Sequence, residues 1–368
     1  MEKRDREVSK MNAKKIVLTG GGTAGHVTPN LALVPRLQEA GFQVFYVGSK
    51  GGMEEQLVKQ AGLPYEGISS GKLRRYLSKD NVTDVFRVMK GIVEADQVLK
   101  KIKPDLVFSK GGFVAVPVVL AAKKRGIPVV AHESDLTPGL ANKIAMPFAK
   151  AVCTTFPETV AYIKGGKGIC TGTPIRQELF AGSRSEGLRF LGFTEEKPVL
   201  LVMGGSMGSV KINNCLRSVL PHLLAHYQIA HLCGKGNLDD RFASLVGYRQ
   251  MEYLSDELPH VFAACDGVIA RAGSNSISEF LALQIPSLLI PLSAKASRGD
   301  QILNAKSFEA QGFSLVLEEE KMDGQSLQAM TAQLFLQAPT LKQAMANSPQ
   351  KDGVSAVMAV LEETLRKM

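Results

Sequence analysis

Residues 15–25 read Lys-Ile-Val-Leu-Thr-Gly-Gly-Gly-Thr-Ala-Gly, and residues 199–208 read Val-Leu-Leu-Val-Met-Gly-Gly-Ser-Met-Gly. In each, a short aliphatic run stops at a G-G-[ST]-x-G turn, with Gly21 and Gly204 at equivalent places. A brief run that is apolar at every position suits a strand covered on both faces, and a glycine turn after it suits the start of a helix. The pattern occurring twice predicts two Rossmann-like domains in tandem. Working outward, Gln43 to Val47, Asp105 to Ser109 and Pro128 to Ala131 add strands to the first half, and Gly267 to Ala270 and Pro286 to Ile290 add them to the second. Strands alternating with helical periodicity give a doubly wound α/β architecture. The expected bounds are an extension over residues 1–13, a first domain over 14–178, a second over 179–350, and a C-terminal helix over 351–368 that packs back toward the first. Gly172 to Lys197, rich in Gly, Ser, Arg and Glu, reads as the end of the first domain and a hinge.

The chain has 368 residues, 45% of them apolar, with 44 Lys+Arg against 35 Asp+Glu and a net charge of +9. That composition excludes a disordered or fibrous chain. The five cysteines stand singly, so neither a disulfide framework nor a Cys-rich zinc site is expected and a reducing compartment is. No run of about 18 apolar residues and no apolar leader occurs, so neither secretion nor a membrane span is expected. The charge is uneven: residues 1–180 hold 27 Lys+Arg and 16 Asp+Glu. A basic half points to an anionic partner. Its densest segment carries Lys72, Arg74, Arg75 and Lys79 interleaved with Leu73, Tyr76 and Leu77, followed by Phe86 and Met89. Basic, aromatic and aliphatic residues mixed in this way suit a lipid headgroup surface; a solvated loop before an amphipathic helix is the plainer alternative. Nucleic acid is not expected, since no helix-turn-helix, zinc or RNP-type signature accompanies the charge.

The glycine turns are candidate phosphate loops, because free N–H groups at a helix start favour an anion. The candidates are Gly21 and Gly22, Gly111 and Gly112 after the strand ending at Ser109, and Gly204, Gly205 and Gly208. Gly20 to Gly25 also satisfies G-x-G-x-x-G, but a dinucleotide needs an acidic residue after the second strand, where Gly48, Ser49 and Lys50 stand. The NAD reading falls, while Lys50 would suit an NADP phosphate. His26 follows the first loop; a histidine there is able to take a proton from a hydroxyl near neutral pH, or simply to bond a neighbouring carbonyl. In the second half, Arg271 to Glu279 opens a helix capped by Ser274 or Asn275. Glu279 is a dipole-complementing residue or a ligand for ribose hydroxyls. Gln301, after Ser297-Arg298-Gly299-Asp300, suits sugar hydroxyls or lies in a solvated loop. No D-x-D, H-E-x-x-H or P-loop signature occurs, so neither a metal nor a cofactor is expected.

Seven blocks, GGTAGHVTPNLAL (21–33), SKGGFVAVP (109–117), IPVVAHESDLTPGLANK (127–143), GTPIR (172–176), GGSMGS (204–209), RAGSNSISE (271–279) and SRGDQILNA (297–305), occur in the order found in one family. The chain resembles the MurG family of bacterial transferases, which move N-acetylglucosamine (GlcNAc) from UDP-GlcNAc to undecaprenyl-diphosphate-linked MurNAc-pentapeptide in peptidoglycan synthesis. The resemblance implies a GT-B fold, two Rossmann-like domains facing across a cleft, with the donor on the second and the lipid acceptor on the first. It implies His26 as general base with Asp135 in reserve, and Thr23, Ala24, Gly25, Asp135 and Arg176 as contacts to donor or acceptor. It also implies Ser206 on the donor phosphates, Leu254 on the uracil through its backbone, Ser274, Asn275, Ser276, Ile277 and Ser278 as further substrate contacts, Glu279 on the ribose, and Gln301 on GlcNAc. The implied setting is the cytoplasmic face of the cell membrane, with an anionic lipid surface and other cell-wall synthesis proteins as partners. The chain departs from the pattern at Ala24, where many members have Gly, at Phe113, where Tyr is common, at Ser134-Asp135, where many have Gln-Asn, and at Asp300, where some have Gln. A UDP-GlcNAc 2-epimerase and a non-catalytic nucleotide-sugar or NADP-binding regulator are the competing readings.

Overall fold

The computed structural model describes residues 13–71, 79–205, 208–294 and 299–367, apart from the side chains of residues 79–85. The chain divides into two compact units. One comprises the chain up to Arg176 together with the C-terminal segment from Asp352, and the other runs from Gln177 to Lys351.

The first unit is built on seven parallel strands: β1 (Lys15–Thr19), β2 (Gln43–Ser49), β3 (Tyr65–Ile68), β4 (Leu106–Ser109), β5 (Val129–Glu133), β6 (Ala151–Thr154) and β7 (Gly168–Cys170), in the order β3-β2-β1-β4-β5-β6-β7. Its helices are α1 (Ala24–Glu39), α2 (Met53–Gln60), α3 (Lys79–Ile102), α4 (Ala115–Lys124) and α5 (Leu140–Ala145). The order reverses between β1 and β4, so the loops that follow these two strands open side by side, the place where open α/β sheets bind ligands. The central strands are apolar because both faces are covered: Ile16, Leu18 and Phe108 belong to one core, and Val17, Val107 and Ala131 to the other.

The second unit has six parallel strands: β8 (Val199–Met203), β9 (Gln228–Leu232), β10 (Tyr248–Met251), β11 (Gly267–Ala270), β12 (Ser287–Leu289) and β13 (Ser314–Val316), in the order β10-β9-β8-β11-β12-β13. Its helices are α6 (Arg184–Leu191), α7 (Val210–Leu224), α8 (Leu258–Ala264), α9 (Ser274–Leu283), α10 (Asp300–Ala310) and α11 (Gly324–Asn347). The order again reverses, between β8 and β11.

The segment expected to be a hinge holds α6. Ser183 caps it by accepting the Glu186 N–H at 3.4 Å, and Gly192 ends it in the left-handed region. Ser183-Arg184-Ser185-Glu186 is the S-x-x-E start signal, outweighed in the sequence reading by the density of polar residues. Gly187 lets α6 sit against the His260 carbonyl of α8, where a β-carbon would stand 2.1 Å from the oxygen.

The last helix, α12 (Gly353–Arg366), packs on α1, β5 and β6 of the first unit. Its Val357, Met358, Val360 and Leu361 complete the core that contains Ile16, Leu18 and Val27. Among the described residues, no helix is long and apolar enough to cross a membrane.

Leu361 is wholly buried. Leu361→Ala is expected to lower stability by about 2–5 kcal/mol through lost contacts and the cavity left behind. Chemical denaturation followed by amide exchange should place the loss in strands β1 and β4 to β6, with the second unit's sheet unaffected.

Candidate functional site

In the first unit the turn after β1 is held from below. Tyr46, fully buried on β2, donates its hydroxyl to the Gly20 carbonyl at 2.8 Å. Buried Asn30 on α1 donates to the Tyr46 oxygen at 3.1 Å and to the Thr19 carbonyl at 3.2 Å. Glu54, fully buried on α2, accepts the Ser49 N–H at 2.8 Å and the Gly22 N–H at 3.3 Å. A β-carbon on Gly21 would lie 2.3 Å from a Glu54 carboxylate oxygen, so only glycine leaves room for that carboxylate. One N–H of this candidate phosphate loop is therefore already bound to an internal anion.

The turn after β4 meets the first loop directly. A β-carbon on Gly112, whose φ is 81°, would lie 2.4 Å from the Gly21 carbonyl oxygen. Gly21, Gly22, Gly111 and Gly112 are thus brought together as the sequence suggested. Thr23, Ala24 and Gly25 lead into His26, Thr23 as the extended residue before α1 and Ala24 as its first residue.

His26 is half-buried, with Nδ1 3.0 Å from the Thr23 hydroxyl. If Nδ1 carries the proton and donates to that oxygen, Nε2 keeps a lone pair and is the basic atom. Burial lowers the His26 pKa from its ordinary 6.5, and the Lys110 charge lowers it further. Asp135, the Gly21 backbone and Glu54 act in the opposite direction. The candidate base and its reserve are therefore electrostatically coupled.

Lys110 was not anticipated from sequence. It is fully buried at the end of β4, its Nζ 2.9 Å from His132 Nδ1 and bonded to the Ser134 hydroxyl. Burial brings its ammonium down to about 8. His132 is also fully buried, with Nε2 2.9 Å from the Gly172 carbonyl oxygen; burial and Lys110 hold it well below its ordinary pKa. Glu133, whose carboxyl is pushed up by burial, accepts the N–H groups of Ser134, Asp135 and Gly139 and the Asn142 amide at 2.8–3.0 Å. It shapes the turn that presents Asp135. Arg176 is half-buried, and its Nε has no hydrogen-bond partner among the described residues.

In the second unit, the turn after β8 and the starts of α7 and α9 enclose a cavity of about 420 Å³. Gly204, Gly205, Gly208, Ser209, Arg271, Gly273, Ser276, Leu292 and Gln301 are among its lining residues. The volume is within the ordinary range for small-molecule sites, and two helix N-termini aimed into one cavity favour an anion. Gly208 has φ 74°, and a β-carbon there would lie 2.0 Å from the Cys233 carbonyl oxygen. The Gln301 carbonyl oxygen accepts the Leu292 N–H at 3.0 Å, so the group it can present to a ligand is its amide N–H₂.

Leu254, Ser274, Asn275, Ile277, Ser278 and Glu279 do not line this cavity. Leu254 and Ile277 are core residues, and Ser278 donates to the Ser274 carbonyl at 2.7 Å within α9. Ser206 lies outside the described residues, as do Lys72, Arg74, Arg75 and the side chain of Lys79. Phe86 and Met89 are described on α3, 71% and 58% exposed.

Two further spellings in the sequence are resolved by their surroundings. Gly204 to Gly208 also spells G-x-S-x-G, the elbow of a serine nucleophile, which needs a histidine beside it. The described histidine on the adjoining strand, His231, is buried with its ring nitrogens held by Tyr248 Oη at 2.7 Å and Asn213 Oδ1 at 3.0 Å. His222 and His226 stand four apart, but they are exposed, and no group of three metal-ligating side chains is found among the described residues.

The N-terminal domain of glycosyltransferase family 28 matches residues 16–154, and its C-terminal domain matches residues 199–359. A protein of Lachnoclostridium phytofermentans named UDP-N-acetylglucosamine--N-acetylmuramyl-(pentapeptide) pyrophosphoryl-undecaprenol N-acetylglucosamine transferase is 55% identical over 96% of this chain and 100% of its own length. The crystal structure of Acinetobacter baumannii MurG is similar with a TM-score of 0.75 and 25% identity, covering 95% of this chain and 99% of that one. UDP-GlcNAc 2-epimerase from Neisseria meningitidis is similar in fold with a TM-score of 0.67 at 14% identity, covering 96% of this chain and 100% of that one.

The direction of the His26 shift gives a measurable expectation. Its NMR titration midpoint should lie below 6.5, leaving the imidazole neutral at pH 7. In Lys110→Met the midpoint should rise, because protonation no longer meets a nearby cation. An unmoved midpoint would mean that the Lys110 charge does not reach His26.

Proposed function

The chain belongs to glycosyltransferase family 28, and from that premise we propose that it transfers GlcNAc from UDP-GlcNAc to the MurNAc 4-hydroxyl of undecaprenyl-diphosphate-linked MurNAc-pentapeptide, inverting the anomeric centre. The observation that carries this reading is that three separate sequence blocks, Gly204–Ser209, Arg271–Ser276 and Gln301, contribute to one cavity in the second unit. Glycine backbone and two helix starts suit the diphosphate of the donor, and the Gln301 amide suits its sugar hydroxyls.

The first unit takes the acceptor. The 4-hydroxyl attacks the anomeric carbon in line with departure of UDP. Its proton passes to His26 Nε2, while Thr23 holds Nδ1 and fixes the ring. Asp135 stabilises the imidazolium that results, as its opposing effect on the His26 pKa indicates. Negative charge growing on the departing UDP is met by fixed backbone donors of the Gly204–Gly208 turn and α7, which need no reorganisation as the bond breaks. By the family pattern, Glu279 on the ribose and the Leu254 backbone on the uracil extend the donor assignment beyond the residues that line the cavity.

The acceptor is a lipid, and α3 carries a face suited to a membrane surface. Phe86, Met89 and Val93, at spacings of three and four residues, are 71%, 58% and 58% exposed. Apolar side chains on one exposed helix face, with a cluster of basic residues preceding them in sequence, fit the headgroup boundary of an anionic bilayer on the cytoplasmic side.

The direct test supplies UDP-[¹⁴C]GlcNAc and lipid-linked MurNAc-pentapeptide with EDTA present. Label should enter the lipid fraction, and His26→Ala should slow entry by about 10² to 10⁴ with donor affinity little changed. Label recovered only as the 2-epimer, or transfer abolished by EDTA, would overturn the reading. For the membrane face, Phe86→Glu with Met89→Glu should abolish sedimentation with anionic vesicles and leave UDP-GlcNAc binding intact; unchanged sedimentation would remove α3 from the docking surface.

A further inference from the structure

Arg271 lines the proposed donor cavity, and an arginine beside a diphosphate site invites assignment as a phosphate ligand. Its hydrogen bonds argue otherwise. The guanidinium is nine-tenths buried. Nη1 donates to the Ile290 and Pro291 carbonyls at 3.1 and 3.3 Å, and Nη2 donates to the Ser209 hydroxyl at 2.8 Å and to Glu319 Oε1. Each terminal nitrogen carries two protons, and all four are directed at protein acceptors. No terminal fork remains to clasp a phosphate.

Glu319 is equally engaged. Oε1 takes the Arg271 bond, Oε2 lies 3.4 Å from the Ser293 N–H, and its backbone carbonyl accepts Lys211 Nζ at 2.7 Å. The groups joined in this way follow β8, β11, β12 and β13, four neighbouring strands of the sheet. The ion pair therefore ties the loop after β13 to the three loops, after β8, β11 and β12, that line the cavity.

We propose that Arg271 and Glu319 are a positioning pair for the nucleotide-sugar cavity: they lock the four strand-end loops in register and cancel each other's charge, leaving the diphosphate to backbone N–H groups. The inference rests on the donor occupying this cavity. It assigns specificity to the arrangement of the loops, because a charge-neutral wall with fixed N–H dipoles holds a diphosphate in one orientation rather than merely attracting anions.

Removing one member of a buried pair strands the other charge, whereas replacing both by apolar side chains of similar volume is often tolerated. Isothermal titration with UDP-GlcNAc is the test, with thermal denaturation run in parallel. Arg271→Met and Glu319→Leu alone should each weaken binding by roughly 10- to 100-fold through displaced loops, with the KM for the lipid acceptor unchanged. The double variant R271M/E319L should recover most of the lost affinity. Glu319→Gln keeps the shape and exposes the cation, so UDP should raise its Tm by more than it raises that of the wild type, an effect that salt suppresses.

A double variant that binds as weakly as Arg271→Met would mean that Arg271 touches the donor, and would overturn the pairing. Equal UDP-induced Tm shifts in Glu319→Gln and wild type would overturn the charge cancellation. Wild-type protein that binds no UDP-GlcNAc would instead remove the functional reading on which the proposal stands.

Discussion

Backbone segments at the strand ends of both units lie closer together than a β-carbon permits, and the chemistry assigned to them depends on that approach. At the end of β1 the Gly21 carbonyl faces Gly112 of the turn after β4, and Gly21 itself faces the Glu54 carboxylate. At the end of β8, Gly208 lies against the Cys233 carbonyl. Each contact draws loops from different strands into one cluster, which a side chain at the glycine would push apart by more than an ångström. Parallel sheets make the arrangement available, since every strand of a unit delivers its loop to the same edge. The reversal of strand order, between β1 and β4 and again between β8 and β11, opens that edge at its middle.

The two units use buried charge in opposite ways. In the first, Lys110 is enclosed among His132, Ser134 and Glu133, and its charge lowers the pKa of His26 while Asp135 raises it. The result is a tunable field beneath a group assigned to proton transfer. In the second, Arg271 and Glu319 face each other directly, and their hydrogen bonds run to loop atoms. A proton acceptor needs its pKa set by neighbours, whereas a diphosphate site needs donors that do not move. The same sheet topology accommodates both demands, with different residues following the strand beside the first: Lys110 after β4, Arg271 after β11.

The central strands were legible because they are buried on both faces and therefore apolar without interruption, as in Leu18, Val107 or Leu201. Two buried interior strands still escaped notice, Ala151–Thr154 and Gln228–Leu232, where Thr154, Gln228 and His231 interrupt the aliphatic run; the others missed, Ser314–Val316 among them, lie at sheet edges. Tyr65–Ile68 and Tyr248–Met251 lie at sheet edges, where one side needs no partner and polar residues such as Glu66 and Arg249 are tolerated. Gly168–Cys170, also at an edge, is only three residues long. Gly22, Gly112 and Gly205 announced their loops because a turn with φ near +85° favours glycine. Glu54, Lys110 and Glu319 gave no comparable sign. Each looks like a surface charge in one dimension, and its burial is decided by partners such as Gly22, His132 and Arg271 that lie 32, 22 and 48 residues away.

That distinction bears on how the chain's departures from its family pattern should be understood. Ser134 is one such departure, and its hydroxyl bonds the Lys110 ammonium, which also lies 2.9 Å from His132 Nδ1. Asp135, next along, replaces an amide with a carboxylate that acts on His26 against the Lys110 charge. Lys110 at the end of β4 and Asp135 on the turn after β5 thus act on one imidazole in opposite directions. Changing either alone would shift the proton affinity of His26, whereas the pair leaves it neutral and available near pH 7.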